Sequence, residues 1–171
     1  GFKEAQAQQP GLKLILAPRH PRRGDEVEAL ILDSGLDCAR RSRDEPPAGA
    51  DIYLADTMGE MPLFYGLAGR VFIGGTLTDR GGHTPYEPAA YGAALLRGPD
   101  VAKHRPGFDR LEAANAALTV ADAEALAAGL NALSDPEKQS AMGAAAQAAL
   151  RPQADARELV GAITQRLDAA S

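Results

Sequence analysis

The sequence contains one cysteine, no tryptophan and only 5% aromatic residues. A lone thiol, Cys38, excludes an intrachain disulfide and fits a reducing compartment. A basic excess is also absent: 18 Lys and Arg stand against 23 Asp and Glu, for a formal net charge of -5. That balance argues against a nucleic-acid-binding domain, whose affinity rests on phosphate neutralisation by a basic face. No apolar run approaches the roughly 20 residues of a membrane span, and Gly1-Phe2-Lys3-Glu4 has no signal-peptide pattern. Ordinary dinucleotide and P-loop sites are excluded because neither GxGxxG nor GxxxxGK[ST] occurs. The lack of HExxH or paired Cys/His spacing predicts no metal site, and the lack of G-x-S-x-G predicts no serine hydrolase. Cys38, in an expected strand, reads as a small core residue rather than a nucleophile.

What is present is a chain of 171 residues, 45% hydrophobic and 24% charged, long enough for one soluble acidic domain with a real core. Short apolar strands alternate with helical segments. Strands are expected over 12–17, 36–43, 52–55, 71–73, 93–96 and 116–120. Arg40, Arg41 and Arg43 suit an edge strand, where charge discourages sheet-to-sheet pairing. A helix is expected from Asp25, with Val27, Leu30 and Ile31 on one stripe and Gly35 as its stop. Others are expected from Glu60 to Leu67, from Thr84-Pro85 to Ala90 and from Phe108 to Ala113, with 100–107 as a loop. Three helices close the chain: Leu126, Leu130 and Leu133 stripe the first, Ser134-Asp135-Pro136-Glu137 caps the second, and Leu159, Val160, Ile163 and Leu167 stripe the third. The alternation predicts an α/β fold with a parallel sheet covered on both faces. In such sheets ligands bind beyond the carboxyl ends of the strands. Those ends carry Pro18-Arg19-His20, Asp56 to Glu60, Gly74 to Glu87, and Gly98.

Two of these segments share one pattern. Thr57-Met58-Gly59-Glu60 and Thr84-Pro85-Tyr86-Glu87 each follow a strand and open a helix. The structural reading is a pair of Thr-x-x-Glu capping boxes. The functional reading is a pair of helix amino termini offering N–H groups to an anion, with Gly59 allowing close approach and Arg19 supplying a two-pronged phosphate donor. Together they point to a nucleotide site.

These stretches, with Arg40-Arg41-Ser42, Phe72-Ile73-Gly74-Gly75-Thr76-Leu77, Arg80-Gly81-Gly82-His83-Thr84-Pro85-Tyr86-Glu87-Pro88-Ala89-Ala90 and Gly98-Pro99, resemble the carboxyl-terminal domain of 3-deoxy-D-manno-octulosonic acid (Kdo) transferase. They occur in family order from about residue 11 to 120. The resemblance implies a Rossmann-like parallel sheet with helices on both faces, the carboxyl-terminal half of a GT-B glycosyltransferase. It divides the chain into a truncated linker or helix remnant at 1–10 and a CMP-Kdo-binding domain with a helical tail at 11–171. It implies transfer of Kdo from CMP-Kdo to a lipid A precursor in lipopolysaccharide synthesis, on the cytoplasmic side of the bacterial inner membrane. The acceptor site, the membrane contact and the catalytic base then belong to an amino-terminal half, so no catalytic residue, metal or cofactor is expected here and this chain alone is expected to be inactive. The CMP contacts implied are Pro18, Arg19, Met58, Gly59, Glu60, Thr84, Pro85, Tyr86 and Glu87, with Glu87 on the ribose hydroxyls. Thr84-Pro85-Tyr86-Glu87 stands where the family has Asn-Pro-Leu-Glu, and Asp100 to Phe108 departs from a family His and Asn-Phe pair. Those departures keep two alternatives open: a GT-B domain for another nucleotide sugar, and a non-catalytic nucleotide-binding module. Preference for CMP, for UDP or GDP, or for no nucleotide separates the three.

Overall fold

The computed structural model describes residues 1–152, 160–161 and 163–166. Helix α1 (Phe2–Gln8) leads through a turn into strand β1 (Leu14–Leu16), which stops at Pro18. Helix α2 (Gly24–Asp33) carries Asp25 and Glu26 in its first turn, where the helix dipole favours negative charge. It ends at Gly35, whose φ of 76° suits only a residue without a Cβ. Strand β2 (Cys38–Arg40), a 3-10 turn (Arg41–Arg43) and strand β3 (Ile52–Leu54) follow. β1, β3 and β2 form a parallel ladder in that order, with Leu14 and Cys38 both registered on Ile52.

Helix α3 (Met61–Leu67) joins this ladder to a second one. That ladder is β4 (Arg70–Ile73), β5 (Ala94–Arg97) and β6 (Ala117–Thr119), parallel and in that order, with helix α4 (Tyr86–Ala90) between the first two strands and helix α5 (Arg105–Ala113) between the last two. Helices α6 (Ala123–Ala132) and α7 (Pro136–Leu150) complete the described core. Asp122 caps α6 by accepting from the Ala125 N–H, and Asp135 caps α7 by accepting from the Glu137 N–H.

Side chains alternate across a strand, and β5 shows the consequence. Leu95 packs on one face with Phe108 and Leu111 of α5 and Ala146 and Leu150 of α7. Ala94 and Leu96 pack on the other with Val120, Leu133, Leu126 and Leu130. Burial on both faces explains why β5 reads as a continuous apolar run. The alanine bias has a packing role: Gly143 brings α7 against the backbone of Gly92 and Ala93. Helix α1 packs along α6 with Ala5 fully buried, and a Gln9–Asn131 side-chain bond ties the two segments.

The α/β class and the parallel strand direction are as expected, although the strands form two three-stranded ladders rather than one. Four local expectations change. Residues 102–104 form a 3-10 turn and α5 begins at Arg105, because Pro106 is accommodated in a first helical turn. β2 does lie at a ladder edge, but Arg40 is buried and ion-paired rather than an exposed guard, and 41–43 turn away from the strand. Leu30 is 61% exposed, leaving Ile31 as the buried member of its stripe. In the third carboxyl-terminal helix, 160–161 and 163–166 are helical with Val160 and Ile163 exposed, while Leu159 and Leu167 lie outside the described residues.

Candidate functional site

Within a parallel ladder all carboxyl ends lie on one edge, so β1, β2 and β3 deliver Pro18-Arg19, Arg41-Ser42 and Asp56 to Glu60 to one rim. The second ladder delivers Gly74 to Glu87 and Gly98 to Lys103 in the same way. The two ladders are linked through their helices: α3 packs against α4, and the rings of Tyr65 and Tyr91, tilted by 34°, lie with centroids 6.1 Å apart.

The Asp56–Glu60 segment is held from below. Asp56 is buried, and its carboxylate accepts from the Ser42 N–H at 2.9 Å, the Ser42 hydroxyl at 2.7 Å and Arg40 Nε at 2.8 Å. Burial pushes its carboxyl up, but the Ser42 and Arg40 donors outweigh it and leave the group below the usual range. Arg40 also reaches Asp25 and Glu28 of α2 at 2.5 and 3.0 Å, so one guanidinium ties two strands to a helix. Its pKa is raised, first by the Asp25 bond and then by Asp56 and Glu28 against burial. Gly24 is required beside this network because a Cβ there would run into Arg40 and Asp56.

Neither capping box forms. Glu60 sits at the amino cap of α3 with no side-chain cap bond. Its carboxylate is instead gripped by Arg41, Nε at 3.1 Å and Nη2 at 2.8 Å, and receives the Thr57 hydroxyl. Arg41 first and Thr57 second hold the Glu60 carboxyl below its ordinary value. The bidentate arginine wins because a guanidinium fork to a carboxylate outcompetes a neutral N–H. At the second segment α4 begins at Tyr86, one residue later than a Thr84 cap requires. Thr84 Oγ1 accepts from the Tyr86 N–H at 3.4 Å, a long bond. Pro85 is buried, whereas Tyr86 and Glu87 are exposed. Glu87 has no hydrogen-bond or ion-pair partner among the described residues.

Between these anchors the rim is open. Gly59 has φ 81°, a left-handed conformation, and empty space where a Cβ would project; Met58 beside it is 79% exposed. Pro18 is half-buried and Arg19 exposed at the end of β1. The nine expected contact residues thus lie beyond strand ends of the two ladders, but not all are open: Glu60 is held by Arg41, Pro85 is fully buried and the Tyr86 ring lies over Gly107 of α5. Arg41 was legible as an edge charge and within the Arg40-Arg41-Ser42 stretch, but not as the partner of Glu60. Its signal was the acidic residue at Glu60, on the neighbouring strand's loop.

Elsewhere, an apolar hollow of about 520 Å³ lies between α3 and the β1–β3 face, lined by Ile15, Tyr53, Leu63 and Leu67. Cys38 is half-buried, and burial pushes its thiol up, away from a reactive thiolate. Among the described residues no three His, Cys, Asp or Glu side chains gather as a metal site, and no helix is long and apolar enough to cross a membrane.

A parallel α/β domain with a polar, glycine-bearing rim at its strand ends belongs to the class of nucleotide-type ligand-binding folds. The comparisons narrow that class. The solved C-terminal CMP-Kdo binding domain of WaaA from Acinetobacter baumannii superposes with a TM-score of 0.80 at 32% identity, covering 88% of this chain and 82% of that one. The 3-deoxy-D-manno-octulosonic acid transferase of Bordetella pertussis is 38% identical over 138 residues, 79% of this chain and 32% of that protein. The Haemophilus influenzae protein of the same name is 38% identical over 106 residues, 61% of this chain and 24% of that protein. No family model matches. The chain belongs to the Kdo transferase family and corresponds to its carboxyl-terminal domain. It spans 32% and 24% of the length of these two curated relatives.

Proposed function

We propose that this chain binds the nucleotide of CMP-Kdo and serves as the donor-binding half of an enzyme that transfers Kdo to a lipid A precursor, at the cytoplasmic face of a bacterial inner membrane. The observation that carries this reading is the exposed Glu87 carboxylate, free of partners among the described residues, on the same rim as Arg19 and the open Gly59 turn. A carboxylate left free at a ligand edge can accept from two adjacent ribose hydroxyls, and an exposed guanidinium can hold a phosphate through two parallel bonds. Gly59 offers its backbone N–H at close range, as phosphate sites require. Pro18, Met58, Thr84 and Tyr86 supply the walls, and Pro85, fully buried, fixes the start of α4 behind them. Glu60 contributes by holding the loop through Arg41 rather than by presenting a free carboxylate.

In the transfer step negative charge grows on the departing phosphate as the sugar gains oxocarbenium character. In this reading Arg19 and the backbone N–H groups stabilise that charge. The catalytic base and the acceptor surface are assigned to the other half of the full-length enzyme.

Titration calorimetry with CMP, UDP and GDP tests the reading. Binding of CMP in preference to the other two is expected. Preference for UDP or GDP would make this the donor domain of a different transferase, and binding of none would remove the nucleotide reading.

A further inference from the structure

The connection from β4 to α4, residues 74–85, is long, forms no helix or strand, and carries the Thr84–Glu87 segment at its far end. Such a connection has no ladder or helical bonds to fix it, so its position depends on what else holds it. Two side chains to which the donor-site reading gives no role do the holding: Thr76 in this loop, and Asp100 in the connection from β5 to α5.

Thr76 is fully buried, and its hydroxyl is used both ways: it donates to the Ile73 carbonyl at 2.6 Å and accepts from the Gly98 N–H at 2.7 Å. The Thr76 carbonyl accepts from the Asp100 N–H at 2.9 Å. Glycine is needed at 98 because a Cβ there would collide with that carbonyl. Asp100 binds back in the other direction. Its carboxylate accepts from the N–H groups of Arg80 at 2.8 Å and Gly81 at 2.5 Å, and the Lys103 N–H donates to the Gly81 carbonyl at 3.0 Å. These donors, Gly81 first, hold the Asp100 carboxyl below its ordinary range against the effect of burial. Within the loop, the Gly82 N–H reaches the Gly75 carbonyl and the His83 N–H the Gly74 carbonyl, both at 3.0 Å. Gly82, at φ 73°, packs on Thr76 so closely that a Cβ there would sit 2.8 Å from the Thr76 methyl. The folded-back loop is thus fastened to the neighbouring connection from both sides, and the last of these bonds falls one residue before Thr84.

We propose that Thr76 and Asp100 are positioning residues, a clasp that pins the 74–85 loop to the β5–α5 connection and sets the Thr84–Glu87 segment in place before a nucleotide arrives. The inference rests on the donor-site reading above, and neither residue is given a contact with the ligand. Its consequence is preorganisation. When only a fraction of molecules holds the competent loop, apparent affinity falls in proportion to that fraction. Thr76 is the stronger member, because loss of its hydroxyl leaves the N–H of the buried Gly98 without a partner.

The test combines CMP calorimetry, amide hydrogen exchange and thermal melts on the wild-type chain, Thr76→Val, Thr76→Ser and Asp100→Ala. Val keeps the methyl against Gly82 and removes the hydroxyl, whereas Ser keeps the hydroxyl. In the wild type without CMP, the Gly82 and His83 amides are expected to be protected; exchange there at the rate of an unfolded chain would overturn the proposal whatever the variants do. Thr76→Val and Asp100→Ala are expected to exchange these amides faster and to bind CMP about tenfold more weakly, with Thr76→Ser close to wild type. Saturating CMP should restore the protection. Leu133→Val controls for lost stability alone. Leu133 is a buried core residue whose carbonyl is held by Gln139, and Gln139 lies against Gly69 at the amino end of β4, away from the loop. It should melt earlier and keep its CMP affinity. The proposal is overturned if the folded clasp variants bind CMP as tightly as wild type, if Thr76→Ser loses as much as Thr76→Val, or if Leu133→Val loses as much as either. If the wild type binds no CMP, the donor reading falls and exchange alone judges the clasp. Acceleration confined to 74–85 and 98–104 then supports the pinning, and acceleration spread through α6 and α7 overturns it.

Discussion

Arg40, Arg41 and Arg43 look alike in sequence and do three different things. Arg40 is buried and closes a network with Asp56, Asp25 and Glu28. Removing it strands the Asp56 carboxylate, so Arg40→Ala is expected to cost about 3–5 kcal/mol, the usual result of breaking a buried pair; urea unfolding measures it. Arg41 is half-exposed and holds Glu60. Arg41→Ala is expected to lower the melting temperature slightly at pH 7, by the small stability a partly exposed ion pair contributes, and to weaken CMP binding by loosening the Thr57–Glu60 turn. Arg43 pairs with Glu28 at the surface and adds little. For Glu87 the prediction is opposite to that for Arg40. With no partner among the described residues to lose, Glu87→Gln is expected to keep full stability while CMP affinity drops about ten- to a hundredfold, the range for losing a charge-assisted acceptor. A parallel titration with 2′-deoxy-CMP separates ribose recognition from a general charge effect, because the mutant should no longer distinguish the two nucleotides.

At the scale of elements, alternating strands and helices were readable because hydrophobic periodicity and Pro/Gly punctuation are local properties. β1 ends two residues before Pro18, α2 two residues before Gly35, and α7 starts on an Asp135-Pro136 cap, as local chemistry directs. What could not be read depends on contacts distant in sequence. The two Thr-x-x-Glu patterns satisfy every local condition for a capping box, yet Glu60 is drawn off by Arg41, which lies 19 residues away in sequence. The 100–107 segment reads as a loop because of its proline and charges, yet Pro106 sits in the first turn of a helix, where its missing N–H costs nothing. Arg40 reads as an exposed edge charge because burial is invisible without the α2 and β3 carboxylates around it. The alanine-rich tail is the clearest case of composition explained by packing. Gly143→Ala raises intrinsic helix propensity by about 1 kcal/mol, but its Cβ would collide with the Gly92 carbonyl. A net destabilisation of about 1–3 kcal/mol is expected, visible as a lower melting temperature.

For the whole molecule, the ligand rim and the first ladder share the same carboxylates, which sets the response to acid. Asp56 and Glu60 are both held below their ordinary values, by the Ser42 and Arg40 donors and by Arg41 and Thr57. A depressed native pKa contributes stability that is present above the unfolded value, about 4, and disappears as pH falls through the native one. Thermal melts from pH 7 downward should therefore stay level to about pH 4 and then decline, with the decline blunted in Arg41→Ala. In the proposed donor domain, Arg19, the Gly59 turn and the Thr84–Glu87 segment, from different strands and both ladders, act as one nucleotide site. Titrating the isotope-labelled chain with CMP and following backbone amide signals tests it most directly. Arg19, Gly59, Thr84 and Glu87 are expected to shift together along a single saturation curve, while α6 and α7 stay still. Shifts confined to the hollow between α3 and the β1–β3 face, or separate curves for the two rims, would contradict it.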